Sequence, residues 1–465
     1  MADITFGTDG WRGIIADDFT YGNLGKVALA TARFFKKHPK IEHGLVVGGD
    51  GRFASQDFAR FVAQVIASQG IKVLLAEEVV STPMVSLGII RKNAAGGVMI
   101  TASHNPPQWN GFKIKADFGG SAIPSDIQVV EKQLAKVMST GKDVVPKDYD
   151  SLLEKDLIKP VDLRSLYLTD IRRKINLNAI KKSRLKIVFD SMYGSAVGLM
   201  QELLPDVVCI HDEHNPGFKR TPPEPLAKNL EELMALVKSG EFNIGLVTDG
   251  DADRLGAVDE DGNFISTQVL MPLLLKYLYK VRRKKGVVVK TVSVTDLIPR
   301  MCHKYGLKLL ERPVGFKYVT EVMTEQTVLI GGEESGGVGT SFHIPERDGI
   351  YNCLLLCEML AKSRKSLGSA IQDLFVEFGR MYYDRVDFHT TEKRKTAILR
   401  KCEKGFEEIA GMTVLSTETL DGYKFRVDGG WLLIRASGTE PILRFYAEAN
   451  TADKVQRLLQ AASEL

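Results

Sequence analysis

Ile244-Gly245-Leu246-Val247-Thr248-Asp249-Gly250-Asp251-Ala252-Asp253-Arg254 passes without a break from a β-prone apolar run into a loop bearing three carboxylates. Ligands of α/β sheets bind outside the carboxyl ends of strands, so a strand that ends this way offers a site. The same punctuation recurs three times. Val98-Met99-Ile100 leads into Thr101-Ala102-Ser103-His104-Asn105-Pro106, and Val328-Leu329-Ile330 into Gly331-Gly332-Glu333-Glu334-Ser335-Gly336-Gly337. Trp431–Ile434 leads into Arg435-Ala436-Ser437-Gly438-Thr439-Glu440-Pro441. Four such loops can converge on one cleft.

Between the loops, short β-rich runs alternate with amphipathic stretches, the pattern of α/β units with parallel or mixed sheets. Further strands are expected at Leu45–Val47, Val73–Leu75, Lys186–Phe189 and Val287–Lys290. Helices are expected at Ala54–Gln69, Ile127–Met138, Ala196–Leu204, Lys228–Val237 and Gln268–Tyr279. Ile127, Val130, Leu134 and Val137 share one face of the second of these. The Lys- and Asp-rich passage Ser139–Asp150 interrupts the periodicity and reads as the end of a first domain. From about Met381 the pattern changes. Strands at Tyr382–Phe388, Lys424–Val427, Trp431–Ile434 and Leu443–Ala447 surround a helix near Lys393–Ile409, an α+β arrangement. Thr451 looks like the N-cap of a last helix that turns Val455, Leu458 and Leu459 inward. The expected domains are 1–150, 151–258, 259–372 and 373–465, a division that suits 465 residues at roughly 100–200 per domain.

Hydrophobic residues make up 44% and charged residues 26% of the chain, the balance of a folded globular protein rather than a disordered one. The formal net charge is +4, from 62 Lys and Arg against 58 Asp and Glu, so no global basic field calls for nucleic acid. The basic runs Arg172-Arg173-Lys174, Lys181-Lys182 and Arg282–Lys285 read as solvated helix ends and loops. Five scattered cysteines show neither metal-ligand spacing nor a disulfide framework, and Cys353 with Cys357 reads as helix core. No run approaches the roughly 20 apolar residues of a membrane span, and a cytoplasmic address is the default expectation.

The acidic loop is the most explicit chemically. Carboxylates alternating with Gly250 and Ala252 suit a hard, oxygen-seeking cation, with Mg²⁺ favoured. An EF-hand would need Glu260 as its twelfth residue, yet Arg254–Val258 reads as strand. Ser103 is a nucleophile candidate without the Gly-x-Ser-x-Gly elbow of a hydrolase, and a Ser-His pair in a loop also serves turns and caps. The Arg435 loop, with Arg444 downstream, suits a phosphate through bidentate bonds and backbone donors, although a plain turn reads the same way.

Together the four loops resemble the α-D-phosphohexomutase family, which includes phosphoglucomutases, phosphomannomutases and phosphoglucosamine mutases. The match spans the chain in the family's order, and Thr8-Asp9-Gly10-Trp11-Arg12-Gly13 is similar to the family's opening motif. The resemblance implies a heart-shaped molecule of four domains, three related α/β domains and a C-terminal α+β domain, around a central cleft. It implies that Ser103 carries the phosphate and that Asp249, Asp251 and Asp253 hold one Mg²⁺ together with a phosphate oxygen on Ser103. Glu333 and Ser335 would bind sugar hydroxyls, and Arg435, Ser437, Gly438 and Thr439 the distal phosphate. Arg12, Arg254 and Lys113 would balance the negative charge, because three Asp and a phosphoserine of about −2 outweigh Mg²⁺. The implied reaction makes a 1,6-bisphosphate from a hexose 1- or 6-phosphate and returns the other phosphate to Ser103, with glucose 1,6-bisphosphate as activator.

Lys113, in the loop segment Asn110-Gly111-Phe112-Lys113, matches the family's proposed proton carrier, with His104 as helper. In phosphoglucomutases that this chain resembles, a Lys precedes an Asp-Gly pair, whereas here Arg347-Asp348-Gly349 does. An arginine binds phosphate but does not act as a base. Gly336-Gly337 and Pro313-Val314-Gly315-Phe316-Lys317 lean the resemblance towards phosphoglucomutase, with Lys317 a further phosphate contact. Partners are expected to be small hexose phosphates, with no nucleic acid or membrane, for a monomer or homodimer.

Overall fold

Four strands that are apolar except for Thr248, namely Leu45–Gly49, Gly96–Ile100, Ile244–Thr248 and Val328–Gly332, are buried at every position. Strands of this kind belong inside sheets covered on both faces, and here they form the centres of three sheets. The structure is a computed structural model that describes residues 4–7, 9–436 and 442–465. The first sheet has six strands in the order Trp11–Ile14, Trp109–Lys115, Gly96–Ile100, Leu45–Gly49, Val73–Ala76, Ile158–Val161. The second has five, in the order Phe264–Ile265, Leu255–Val258, Ile244–Thr248, Ile187–Asp190, Val208–Ile210. The third has four, in the order Leu309–Arg312, Val287–Thr291, Val328–Gly332, Val338–Gly339. All three mix parallel and antiparallel pairs. The fourth sheet, six antiparallel strands from Tyr382–His389 to Ile442–Ala449, stands apart in sequence and pairing. The fold is thus the expected four-domain α/β architecture.

The sheets correct the expected boundaries. Ile158–Val161 pairs in parallel with Val73–Ala76, so the first domain runs past residue 150. The polar passage does not leave the domain but crosses its helix Ser55–Ser68, where the Lys147 N–H donates to Ser68 Oγ at 2.8 Å. Phe264–Ile265 closes the second sheet beyond residue 258, and the expected break at 372 falls inside the helix Leu367–Phe378. The helix expected to reach Ile409 ends at Lys404 before Gly405, whose φ of 78° favours glycine. Lys174 and Arg282, expected on solvated faces, instead tie domains together: Lys174 donates to the His343 carbonyl at 2.9 Å, and Arg282 to the Lys174 carbonyl at 3.1 Å.

One apolar core runs through the first three domains, taking in Val46, Met84, Tyr167, Leu199, Leu246, Leu274, Leu329 and Leu355. The buried helix Gly349–Ser363, which contains Cys353 and Cys357, lies in this core. The fourth domain has its own core, built on Ile398, Phe425, Ile434, Phe445 and Leu458. Among the described residues no helix is long and apolar enough to cross a membrane.

Candidate active site

Strand Gly96–Ile100 ends at Thr101, whose Oγ1 accepts from the Ser103 N–H at 2.8 Å. Ser103 has φ 54°, a left-handed conformation that is costly for a residue with a Cβ. The turn aims its hydroxyl across the domain boundary: Ser103 Oγ donates to Asp249 Oδ2 at 2.8 Å and lies 3.3 Å from His104 Nδ1. Burial, followed by Arg254, Arg12 and Lys113, depresses the His104 pKa well below the usual imidazole range, so the ring is neutral at ordinary pH.

The acidic loop is knotted on itself. Asp249 Oδ1 accepts from the N–H groups of Asp253 and Arg254 at 3.0 and 3.1 Å. Asp251 Oδ2 accepts from the Thr82 hydroxyl at 2.6 Å and from Lys113 at 2.9 Å, and Asp253 Oδ2 from Arg347 at 2.7 Å. Asp251 Oδ1 and Asp253 Oδ1 are buried and find no hydrogen-bond partner among the described residues, Asp253 Oδ1 having only Arg254 Nε at 4.0 Å. The three carboxylates, all buried, offer oxygens within 4.8 Å of one another. Burial and the neighbouring Asp251 and Asp253 push the Asp249 carboxyl well above its usual range. Buried carboxylate oxygens without partners are expensive, and hard oxygen donors gathered this closely fit a divalent cation.

Cations surround the loop. Lys113 is not in a loop but on strand Trp109–Lys115, and its exposure is 1%. Alternation along that strand sends Phe112 and Ile114 into the first domain's core and Lys113 into the cleft. Its ammonium lies 2.8 Å from Asp9 Oδ2, 2.9 Å from Asp251 and 3.4 Å from Asp253. Although burial opposes it, these carboxylates hold the Lys113 pKa above its ordinary value. Arg347 joins three domains: it donates to Asp9 at 2.8 Å, Asp253 at 2.7 Å and Glu333 at 3.3 Å. A Cβ on Gly337 would come within 2.4 Å of Arg347 Cδ, so glycine at 337 and arginine at 347 fit as a pair. Arg12 donates to Asn105 of the Ser103 turn at 2.7 Å, and Arg254 Nε lies 3.7 Å from Asp249.

Ser103, His104, Lys113, Arg12, Arg254, Arg347, Glu333 and the three aspartates therefore share one junction. Ser335 is half-buried on the same loop as Glu333. Lys317 lines a cavity of about 180 Å³ beside Asp9 and Ser121. Arg435 is held apart in the fourth domain, paired with Asp421 at 2.9 Å. Ser437, Gly438 and Thr439 lie outside the described residues. Asp9 and Thr82, which hold Lys113 and Asp251, were not expected. Asp9 stood within the N-terminal motif, whereas nothing local in Ser81-Thr82-Pro83 distinguishes a helix start from a site.

Comparison with known proteins agrees with this geometry. The chain matches the domains described as phosphoglucomutase/phosphomannomutase alpha/beta/alpha domain I over residues 3–140, domain II over 165–262 and domain III over 267–378. The C-terminal domain of the same family matches 389–465. A phosphoglucomutase/phosphomannomutase of Thermococcus kodakarensis is 29% identical, over 99% of this chain and 98% of its own. A protein of Pyrococcus horikoshii named as a probable phosphoglucosamine mutase is 31% identical, over 99% and 97%. A crystal structure from Thermus thermophilus, assigned as a phosphomannomutase, superposes with a TM-score of 0.86 at 33% identity, covering 100% of this chain and 99% of that one.

Proposed function

Since the chain belongs to the phosphoglucomutase/phosphomannomutase family, we propose that it interconverts the 1- and 6-phosphates of a hexose, glucose first, through a phosphate carried on Ser103. The observation behind this reading is the 2.8 Å approach of Ser103 Oγ to Asp249 inside a buried cluster of carboxylates and cations. In the first transfer the bond from phosphorus to Ser103 Oγ breaks and one to a sugar hydroxyl oxygen forms, giving a hexose 1,6-bisphosphate. In the second, the bisphosphate presents its other phosphate, which returns to Ser103 Oγ.

Mg²⁺ held by Asp249, Asp251 and Asp253 would neutralise charge on the phosphoryl oxygens. Arg12, Arg254 and Arg347 spread the remaining charge, and Glu333 with Ser335 orients the sugar ring. The geometry favours His104 over Lys113 as proton carrier. The imidazole is neutral and close to Ser103 Oγ, whereas three carboxylates hold the Lys113 ammonium charged. Arg435, Ser437, Gly438 and Thr439 grip the phosphate that is not transferred, and Lys317 adds a cation on the third-domain side. The fourth domain closes over a bound phosphate, excluding water.

The glucose preference rests on Gly336-Gly337 and the Pro313–Lys317 segment. A glucosamine phosphate is the second reading, supported by the name of the Pyrococcus horikoshii relative. Supplying glucose, mannose and glucosamine 1-phosphates with Mg²⁺ and a trace of the matching 1,6-bisphosphate decides among the sugars. Release of free phosphate without any 6-phosphate would overturn the mutase reading. Ser103→Ala is expected to abolish turnover, and small-angle scattering to show a smaller radius with ligand.

A further inference from the structure

We propose that Arg52 is the positioning residue of the Ser103 carrier, a single guanidinium that holds the main chain of the Ser103 turn and so sets the aim of Ser103 Oγ. The inference rests on the reading of Ser103 as phosphate carrier. Strands Leu45–Gly49 and Gly96–Ile100 are parallel neighbours with Gly49 opposite Ile100, so the loops that follow them emerge side by side. The Asp50 N–H continues the ladder by donating to the Ile100 carbonyl at 3.0 Å. Two residues later Arg52, 2% exposed, reaches under the neighbouring loop.

Its Nη2 donates to the carbonyls of Ser103 and Asn105 at 2.5 and 2.6 Å. Its Nη1 donates to the carbonyls of Pro106 and Trp109 at 3.0 and 3.1 Å. Asp50 steadies the guanidinium from one side: its Oδ2 is 3.3 Å from Nε, and its Oδ1 accepts from the Ser55 hydroxyl at 2.7 Å. Phe218, from the second domain, lies 4.9 Å from the guanidinium and buries it.

The turn needs such a clamp for two reasons. Ser103 is buried and Asn105 and Pro106 are half-buried, and their carbonyls lie in a turn outside any ladder, so each must find a donor. Ser103 also holds a left-handed φ of 54°, which persists only where its surroundings over-determine it. The planar fork of an arginine meets four spread carbonyls, whereas a lysine ammonium offers three donors from one point. Arg52 acts through the main chain and has no bond to Ser103 Oγ, so its loss should disturb phosphoryl transfer rather than sugar binding. The passage from apolar strand into polar loop that marks the other four loops is also present where Leu45-Val46-Val47 leads into Gly48-Gly49-Asp50-Gly51-Arg52.

The test compares Arg52→Ala and Arg52→Lys with the unaltered protein, reading kcat, KM for the hexose 1-phosphate, folded fraction by circular dichroism, and recovery on adding guanidinium ion. A reacting group misplaced by about 1 Å can cost about 100-fold, which is the fall in kcat expected for Arg52→Ala. Its KM should stay within about twofold, and guanidinium at millimolar, non-denaturing concentration should restore about tenfold of the lost rate by refilling the site. Arg52→Lys should fall between the two and show no rescue. A KM that rises in step with the fall in kcat, a loss that tracks the unfolded fraction, or no rescue in folded Arg52→Ala would overturn the proposal. Should Arg52→Ala fail to fold, Arg52→Lys decides: lowered kcat at unchanged KM supports the clamp, and unaltered kcat overturns it. Ser103→Ala, assayed alongside, separates the two readings. Full turnover there removes the carrier and the clamp together, whereas full turnover in the Arg52 variants removes the clamp alone.

Discussion

The cleft among the first three domains and the sheet of the fourth domain hold their charges in opposite ways. In the cleft, Lys113 and Arg347 each contact carboxylates from two or three domains, and one apolar core passes beneath them all. The fourth domain keeps a separate core and meets the third through a small apolar patch of Trp431, Leu433 and Tyr446 against Val292. Polar contacts at its rim reach the third domain: Lys424 to the Val292 carbonyl at 2.7 Å, Asp421 to the Val314 N–H at 2.7 Å, Arg385 to Glu334 at 3.0 Å, and Arg426 to Asp296, whose N–H donates to Glu448 at 2.8 Å. Interlocked contacts resist displacement because moving one domain strands several buried charges. A domain with its own core that docks through one small apolar patch and its rim can rotate as a body. On the proposed function, the chemistry of transfer sits on the interlocked frame, and the grip on the distal phosphate on a domain with a core of its own.

The largest effect should come from the interlocked side. Asp251→Asn removes a carboxylate bonded to both Thr82 and Lys113. With several kcal/mol of charge stabilisation at stake, kcat should fall roughly 10³-fold, and calorimetry should show weakened Mg²⁺ binding. Retained Mg²⁺ affinity would mean that the triad is not the metal site.

Trp431→Ala probes the other side. The ring is fully buried, and its Nε1 donates to Glu448 at 2.9 Å. Its loss should cost about 3 kcal/mol, and calorimetry should resolve a separate, earlier unfolding transition for the fourth domain. A single unshifted transition would mean that all four domains unfold as one unit.

Arg435→Ala should raise KM about 10- to 100-fold, since one charge-assisted contact contributes about 1.5–3 kcal/mol. Its kcat should change far less, the reverse of the pattern expected for Asp251→Asn.

The smallest effect is a pH dependence of the docked face. Burial, with Lys290 and Arg426 nearby, lowers the Lys424 pKa from an ordinary value of 10.5 to about 8. Below about 8 the side chain is charged in both folded and unfolded states, and the burial penalty is present in full. Between about 8 and 10.5 only the unfolded chain holds the proton, so stability rises with pH. Relative to Lys424→Met, the unaltered protein should gain about 1 kcal/mol per pH unit in that window, measured by denaturant titration. A constant difference would place Lys424 in water.

Much of this was legible because strand and loop are local signals. Ile100 running into Ser103, and Thr248 into Asp249, each placed a reactive group at a strand end. The strand Trp109–Lys115 was not legible. Its Lys113 and Lys115 alternate with Phe112 and Ile114 as on any sheet with one wet face, and the docking of other domains is what makes that polar face a buried one. Arg347 shows both sides of the matter. Its charge and place after the Glu333 loop were readable, but its hold on Asp9, 338 positions away, was not.

The amino-acid sequence by itself determined the α/β order, the four strand-end loops and the residue types they carry, because apolar period and turn chemistry act over a few residues. The tertiary structure alone decided which oxygen each cation faces, why Lys113 is held charged while His104 stays neutral, and how the first domain runs on to residue 161. Those outcomes depend on burial and on charges brought together from distant segments, and neither exists until the domains pack.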